Sequence, residues 1–170
     1  MIIVKRKIQE QIEMIKNPIL YYAFQWEGHA IERHVLTDTQ LFRALWTKPK
    51  PKYADDIVKV TRFVDKESAL HFIADTLSKN IDNIAKWLLS DIRKDLVVTA
   101  TFDEVTGDAL VKNTNWQKTI PMHSTLVVLR KNYKVLSRSF VIVTAYPDST
   151  LEDVDVIYDA MDEYISKKNQ

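Results

Sequence analysis

The chain has 170 residues, of which 46% are hydrophobic and 28% are charged, and its formal net charge at pH 7 is +1. This composition predicts one globular domain, and the near-neutral charge excludes a general basic field for binding nucleic acid. The absence of cysteine excludes disulfides, thiol catalysis and thiolate zinc sites, and no apolar run approaches the ~20 residues that span a bilayer.

The first 27 residues predict helices. Isoleucines recur at helical spacing within residues 3–16, with lysine and glutamate between them. Asn17 followed by Pro18 is typical of an N-cap and a first helical position, which predicts a second helix that runs to about Trp26. Charges so close to the N-terminus predict no signal peptide.

A glycine and a proline-rich loop delimit the next helix. Gly28 interrupts the helical pattern, and Thr37 with Gln40 forms a capping-box signature ahead of an apolar helical face. Residues 47–56, TKPKPKYADD, predict a loop because proline cannot continue a helix and lysine favours solvent.

Residues 57–90 predict a strand and then a helix. Ile57 to Val64 alternates apolar and polar residues, as a half-buried strand does. Asp65 is a suitable N-cap for the helix that follows. The apolar stripe of that helix extends over several turns and comprises Ile73, Leu77, Ile81, Ile84 and Leu88.

From Leu96 the periodicity becomes that of strands. Residues 96–111, with a turn at EVTGD, predict a hairpin in which Gly107 would supply a positive φ. Residues 124–135 and 137–147 are rich in β-branched side chains and predict two further strands separated by a polar turn.

The last residues predict a closing helix. Thr150, Glu152 and Asp153 are suited to its first turn, and its apolar face would comprise Val154, Ile157, Met161 and Ile165. Helices first, then a mostly antiparallel twisted sheet, then a C-terminal helix predict the α+β class.

Two of the four histidines lie in one short segment. His29 and His34 are five residues apart, whereas two metal ligands on one helical face normally lie three or four apart. With no cysteine and no acidic residue at ligand spacing nearby, the segment predicts no metal site. The chain's two glycines cannot form a phosphate-binding loop or a G-x-S-x-G elbow either.

The same segment suits RNA cleavage without a metal. Attack of a ribose 2′-OH on its own phosphate needs a base near neutral pKa, and histidine is the usual choice. An arginine can stabilise the negative charge of the phosphorane. His29, His34 and Arg43 supply both groups within about fifteen residues, although a surface or half-buried histidine of no catalytic role is the more ordinary interpretation.

Residues 144–147, TAYP, end a strongly apolar strand. Thr144 and Tyr146 are expected on one face of it, and Pro147 is expected to stop the hydrogen-bond ladder. Taken alone, two hydroxyls at a strand end more often form the edge of a core and a turn than a catalytic site.

Six stretches of the chain occur in a characteristic order: GHAIERHV (28–35), LFRALW (41–46), RFVDKESAL (62–70), IAKWLL (84–89), LVVLRK (126–131) and VIVTAYP (141–147). Together they resemble the pancreatic-ribonuclease-like (RNase A-like) toxin domain at the C-terminus of bacterial contact-dependent growth-inhibition (CdiA) proteins. Their order and spacing carry the resemblance, since no single motif is highly specific.

The resemblance implies an RNase A-like fold without disulfides and metal-independent cleavage of RNA, with no cofactor. It also implies neutralisation by a cognate immunity protein. The family's functional positions fall on His29, Arg43, Thr144 and Tyr146. His34 matches a family position to which no role is assigned, and packing is an open interpretation for it.

The resemblance covers residues 28–147 and not the two ends of the chain. Residues 28–147 would form the toxin core within one domain of residues 1–170. Residues 1–27 would be an N-terminal helical extension, and residues 148–170 a C-terminal helix.

The preferred hypothesis is an endoribonuclease toxin that cleaves RNA, with tRNA as one candidate, by 2′-OH transphosphorylation. It would act in the cytoplasm of a target bacterial cell after delivery within a larger toxin, or in the cytoplasm if it stands alone, without metal or membrane. Local cations at KPKPK (48–52), Lys131 and Lys134 could contact RNA, although a solvated loop is the favoured interpretation of the first.

Two other hypotheses stay open. The first is a catalytically inactive RNA- or protein-binding module of the same fold. The second is a structural or adaptor domain that uses the aromatic YYAFQW (21–26) as a contact surface, although core packing is the more ordinary use of those rings.

Overall fold

A computed structural model describes residues 1–17, 34–53, 56–115, 118–132 and 139–170. The helices in these ranges are α1 (Ile2–Ile15), α2 (Asp38–Trp46), α3 (Lys66–Ser78), α4 (Ile81–Leu89) and α5 (Leu151–Lys168). The strands are β1 (Lys59–Phe63), β2 (Leu96–Thr101), β3 (Gly107–Val111), β4 (Ile120–Met122), β5 (Ser124–Asn132) and β6 (Ser139–Asp148). The predicted α+β class is confirmed. None of these helices combines the length and apolar character that crossing a bilayer requires.

The strands form two antiparallel sheets of three strands, in the orders β1-β3-β4 and β2-β5-β6. The predicted hairpin of residues 96–111 is wrong, because β2 pairs with β5 and β3 lies between β1 and β4. Burial explains the difference. Leu110 packs with the residues of α2, whereas Ala109 and Val111 pack with those of α5, so β3 is covered on both faces and takes a central place.

Gly107 is required for a reason other than the predicted one. Its φ is not positive. A Cβ at this position would come within 2.1 Å of the carbonyl oxygen of Arg62 and 2.4 Å of Cγ of Pro147. Glycine is therefore needed because β3 passes close to both β1 and β6 where the two sheets meet.

The main core lies between α1, α3 and α4 and the sheet β2-β5-β6. The isoleucines predicted to line the first helix, Ile8, Ile12 and Ile15, are all buried. Gln11 Nε2 donates to the carbonyl oxygen of Phe140 at 2.6 Å, which ties α1 to β6. Each fully buried aliphatic or aromatic side chain contributes about 1.5–3 kcal/mol from removal of apolar surface from water.

The predicted stripe of residues 73–88 is buried at all positions except the half-buried Ile81, but it lies on two helices rather than one. The break falls at Lys79 and Asn80. Asn80 Nδ2 donates to the carbonyl oxygens of Thr76, at 2.8 Å, and Thr99, at 3.0 Å. The side-chain amide thus satisfies a carbonyl of the last turn of α3 and ties the junction to β2.

Capping boxes begin α2 and α5. Thr37 and Gln40 form the one that the sequence predicts, and Thr150 pairs with Asp153 in the same way. Both helices then pack on the sheet β1-β3-β4. The predicted apolar face of α5 is correct for Ile157 and Met161, which are buried. Ile165 differs from the prediction and is 47% exposed.

Candidate active site

A groove of about 1040 Å³ lies where the loop after α2, the strand β1 and the end of β6 meet. Aliphatic side chains form much of its wall. The charged and aromatic side chains that line it include His34, Lys48, Lys50, Lys59, Tyr146 and Asp148.

Tyr146 projects into this groove from β6. Thr144 and Tyr146 lie two residues apart, opposite Val128 and Leu126 of β5, and therefore share one face of the strand, as predicted. Thr144 is half-buried and does not line the groove itself. A register shift leaves Val143 without an opposing residue immediately before Thr144. Such bulges redirect the side chains that follow them and are frequent beside functional sites.

The strand does not end where the sequence predicts. Pairing with β5 continues through Pro147 to Asp148, which lies opposite Ser124. Among the described strands β6 pairs only with β5 and is therefore an edge strand, where proline is tolerated. The extra residue brings Asp148 into the groove beside Tyr146.

The environment of Tyr146 favours its protonated form. Burial raises the pKa of the Tyr146 hydroxyl above the ordinary tyrosine value, and the negative charge of Asp148 raises it further. At neutral pH the hydroxyl therefore holds its proton and can donate it, either as a hydrogen bond or in proton transfer.

His34 lies against Tyr146, with the two ring centroids 5.3 Å apart and the planes inclined at 38°. Its Nδ1 is 3.3 Å from the carbonyl oxygen of Thr61 on β1. Since a carbonyl oxygen only accepts, this contact places a hydrogen on Nδ1 and makes Nε2 the lone-pair nitrogen of the neutral ring. The structure thus brings together His34 and Tyr146, which are 112 positions apart in the sequence.

Lys59 joins the two strands that border the groove. Its Nζ donates to Asp148 Oδ1 at 2.9 Å and to Ser149 Oγ at 2.6 Å. The sequence offered no signal for this pair, because a lysine on the polar side of an alternating strand is ordinary. Only the approach of β1 to the end of β6 gives it a place in the site.

Arg62 fixes the chain segment that carries His34. Its guanidinium makes a bidentate pair with Asp108, with Nε 2.8 Å from Oδ1 and Nη2 3.2 Å from Oδ2. Its Nη1 lies 2.7 Å from Asp38 Oδ1 and donates to the carbonyl oxygen of Leu36 at 3.1 Å. The hydrogen bond with Asp108 is the main cause of a raised Arg62 pKa, with a further contribution from Asp38. With two carboxylates as partners, Arg62 has a structural role.

Arg43 is not among the residues that line the groove. It is exposed on the last turn of α2. At 100° per residue it projects about 180° away from the buried pair Leu41 and Leu45. The next residue, Ala44, does border the groove. Arg43 as the cation of the site therefore stays a prediction from the resemblance.

Several of the sequence predictions lie outside the described residues. These are His29, the helix expected to run to Trp26, the YYAFQW segment and Lys134. Lys131 is described, but its Nζ donates to the carbonyl oxygen of Ser90 at 2.6 Å and lies over the Trp87 ring. Lys131 therefore has a packing role in the structure.

A second histidine makes a close polar pair that the sequence did not predict. His123 Nδ1 is 2.7 Å from Asp153 Oδ1, and the backbone N–H of His123 donates to Asp153 Oδ2 at 2.8 Å. Burial opposes ionisation of Asp153, but hydrogen bonds from the Thr150 backbone and from His123 together hold its pKa below the usual range. Asp153 thus fastens the start of α5 to the junction of β4 and β5, outside the groove.

Comparison with known proteins decides the family. The sequence model described as the bacterial CdiA-CT RNAse A domain matches residues 28–147, which is more than half of the chain. The chain belongs to this family. The resemblance predicted from six short stretches is thereby confirmed, with the same bounds. Membership in the CdiA-CT RNase A family makes ribonuclease the class of enzyme to which the chain is assigned.

A solved structure of the same kind agrees in fold. The CdiA-CT/CdiI complex from Y. kristensenii 33638 contains a chain that is 17% identical in sequence, with a TM-score of 0.59. The similarity covers 71% of this chain and 99% of that one. No curated protein sequence matches this CdiA-CT RNase A domain.

Proposed function

We propose that this domain is a metal-independent endoribonuclease whose reaction takes place in the groove at Tyr146. The 2′-OH oxygen of one ribose attacks the adjacent phosphorus and forms the O2′–P bond while the P–O5′ bond breaks. The proton of the 2′-OH passes to a base, and an acid protonates the departing 5′ oxygen. The products are a 2′,3′-cyclic phosphate and a free 5′-hydroxyl.

The observation that carries the proposal is the position of Tyr146, which lines the groove in contact with His34. Its phenol is protonated at neutral pH, and the raised pKa keeps it so, which allows it to serve as the acid. An alkoxide leaving group is a far stronger base than tyrosinate, so proton transfer to it is favourable. Thr144, on the same face of β6, is suited to orient a base or phosphate through its hydroxyl.

With Tyr146 as the acid, the base is a histidine. The resemblance makes His29 a functional position without deciding between base and acid, and the choice of Tyr146 as the acid leaves His29 the role of base. His34, which is in contact with the Tyr146 ring and hydrogen-bonded to β1, is suited to holding the phenol in place. We therefore assign His29 as the base and His34 as a positioning residue.

Two cations are candidates for stabilising the phosphorane. Arg43 is a functional position by the family resemblance and can contact phosphate oxygens with two N–H groups, although it does not line the groove. Lys59 lies in the groove itself but shares its charge with Asp148. We retain Arg43 as the stabilising cation on the strength of the resemblance, with Lys59 tying β1 to the end of β6.

The biological setting follows from the family and from the solved complex. A CdiA-CT chain bound to CdiI supports a cognate immunity protein as the partner that neutralises this domain. The site of action would be the cytoplasm of a target bacterium, and tRNA is one candidate among RNA substrates.

The test is cleavage of tRNA and of total RNA in the presence of EDTA, with detection of 2′,3′-cyclic phosphate ends. Tyr146→Phe and His29→Ala should each lower turnover by about 100-fold or more, the range typical for loss of an acid or base. Tyr158→Phe is the matched control, since Tyr158 is 40% exposed on α5, away from the groove. Cleavage that disappears in EDTA, or that survives both site variants, would contradict the proposal. RNA binding without turnover would favour an inactive binding module instead.

A further inference from the structure

The segment from Trp46 to Tyr53, WTKPKPKY, combines two exposed aromatic residues with a lysine-proline run, of which residues 48–51 line the groove. Trp46 is 76% exposed and Tyr53 is 60% exposed, and the two rings bracket the lysine-proline run. A single exposed ring is ordinary, but Trp46 stacks on Phe42, itself 38% exposed, and an exposed apolar patch of this kind is a feature of binding surfaces. The function assigned to Tyr146 makes no use of either ring.

The lysines of this run face the groove. Lys48, Pro49, Lys50 and Pro51 all line it. Each proline fixes its own φ and restricts the residue before it, so the lysines are presented on a stiff backbone. Holding them there therefore costs less conformational entropy than in a flexible loop.

Two lysines at this edge of the groove have no ion-pair partner among the described residues. Neither Lys48 nor Lys50 forms an ion pair with any residue in the described part of the chain. Of the two carboxylates that line the groove, Asp148 is paired with Lys59, and Asp56 keeps its charge while accepting from the backbone N–H of Tyr53 at 3.0 Å. Lys48 and Lys50 outnumber Asp56, so the edge of the groove carries a net positive charge from these residues.

The tryptophan is held in a fixed orientation. Its ring stacks on that of Phe42, with the centroids 6.0 Å apart and the planes inclined at 22°. Tyr53 has Lys52 Nζ 5.5 Å from its ring centroid. A rigid aromatic face beside cations is the arrangement with which proteins bind unpaired bases and the phosphates between them.

We propose that WTKPKPKY (46–53) is the binding element for single-stranded RNA next to the cleaved phosphate, with bases stacked on Trp46 and Tyr53 and phosphates on Lys48 and Lys50. This inference rests on the proposed ribonuclease function and names its substrate class. A single strand is required because paired bases cannot stack on protein rings. Continuity with the groove of Tyr146, together with the unbalanced positive charge, favours RNA over a protein as the occupant.

The test is binding of a fluorescent 2′-O-methyl oligonucleotide of about twelve unpaired nucleotides, measured by anisotropy between 50 and 300 mM salt. The probe cannot cyclise, so binding is measured apart from cleavage. The double variant Lys48→Ala/Lys50→Ala should reduce the slope of log K against log salt by about 1.4, which is about 0.7 for each phosphate that the protein no longer neutralises. The control double variant Lys7→Ala/Lys86→Ala removes the same charge from exposed positions on α1 and α4 and should keep the slope.

The contribution of Trp46 to binding is tested separately from that of the lysines. Trp46→Ala should weaken binding about 10-fold while leaving the salt slope unchanged, and Trp46→Phe should restore most of the affinity. A slope change no larger than that of the control, or unchanged affinity in Trp46→Ala, would overturn the assignment and leave the segment to a protein partner. Absence of parent binding would also overturn it. Cleavage of RNA by the parent in EDTA is measured separately. If the parent cleaves RNA, a negative binding result contradicts only the assignment of this segment and not the proposed ribonuclease function.

Discussion

His34 and His123 each make a polar contact through Nδ1, but their surroundings differ. His34 donates to a backbone carbonyl, touches a tyrosine whose pKa is raised, and lines a groove with several lysines. His123 contacts a buried carboxylate that also accepts from two backbone N–H groups. That carboxylate caps α5 through Thr150 and ties the helix to His123.

The difference shows how a histidine–aspartate pair should be judged. Such a pair is a familiar catalytic arrangement, yet here Asp153 Oδ2 accepts from the backbone N–H groups of His123 and Thr150 and so also fixes the start of α5, while Oδ1 contacts the His123 ring. The less conspicuous histidine, which contacts a carbonyl and an aromatic ring, is the one that faces a groove. Access to substrate space and a neighbouring proton donor separate the two.

The sharpest way to break this comparison is to truncate each histidine. His34→Ala should lower turnover on RNA about 100-fold, because a displacement of the Tyr146 ring by about 1 Å is enough for a loss of this size. His123→Ala should leave turnover per folded molecule within about 3-fold. Single-turnover cleavage with both variants tests this.

The conservative variant His34→Asn serves as the control, since its side-chain amide can still donate to the carbonyl oxygen of Thr61. It should recover part of the lost turnover with little change in KM. Equal losses for His34→Ala and His123→Ala would refute the distinction between the two histidines.

The second contrast concerns stability. Asp153→Asn should lower the free energy of unfolding by about 2 kcal/mol at pH 7, since it weakens a buried cap and the contact with His123. The native pKa of Asp153 is depressed, so its contribution is complete above the unfolded value of about 4 and is lost as pH falls through the native pKa. Urea unfolding at pH 7 and near pH 3 should show the gap between parent and variant shrinking at the lower pH. A gap that is constant with pH would contradict this account.

The support of His34 can be tested through Arg62. Arg62→Lys removes the pair of guanidinium N–H groups that bind both oxygens of Asp108. It should lower the free energy of unfolding by about 1–2 kcal/mol. Arg130→Lys is the matched control, because Arg130 makes a similar bidentate pair with Asp95 while being 46% exposed. Arg130→Lys should lower the free energy of unfolding by less than about 1 kcal/mol. Thermal or urea unfolding of both variants measures the difference, and an equal cost would argue against a special role for Arg62.

The smallest expected effect is spectroscopic. Because burial and Asp148 raise the pKa of Tyr146, its phenol should ionise at higher pH than an exposed tyrosine. Its contribution to stability is complete below the ordinary tyrosine pKa of about 10 and is lost as pH rises through the native pKa. When tyrosinate absorbance is followed as the pH rises, Tyr146→Phe should lack the tyrosine that ionises at the highest pH in the parent. If the variant instead lacks a tyrosine that ionises at lower pH, the Tyr146 phenol is not shielded from solvent.

Local signals in the sequence were sufficient for most of the elements. The capping box of Thr37 and Gln40, the isoleucines of α1 and the β-branched runs of β5 and β6 all predicted elements that the structure contains. The local signals did not predict which strands pair with each other. The hairpin predicted for residues 96–111 failed because β3 needs cover on both faces, and this depends on helices far away in the sequence.

The sequence by itself determined the family, the α+β class and the face that Thr144 and Tyr146 share, because these depend on the order of residues and on short-range periodicity. Only the tertiary structure decided which groups surround Tyr146. The meeting of His34, Lys59 and Asp148 depends on the approach of β1 to the end of β6, which in turn needs Gly107 between the two sheets. Contacts between residues so far apart in the chain are set by the packing of the sheets and helices, and no local pattern encodes them.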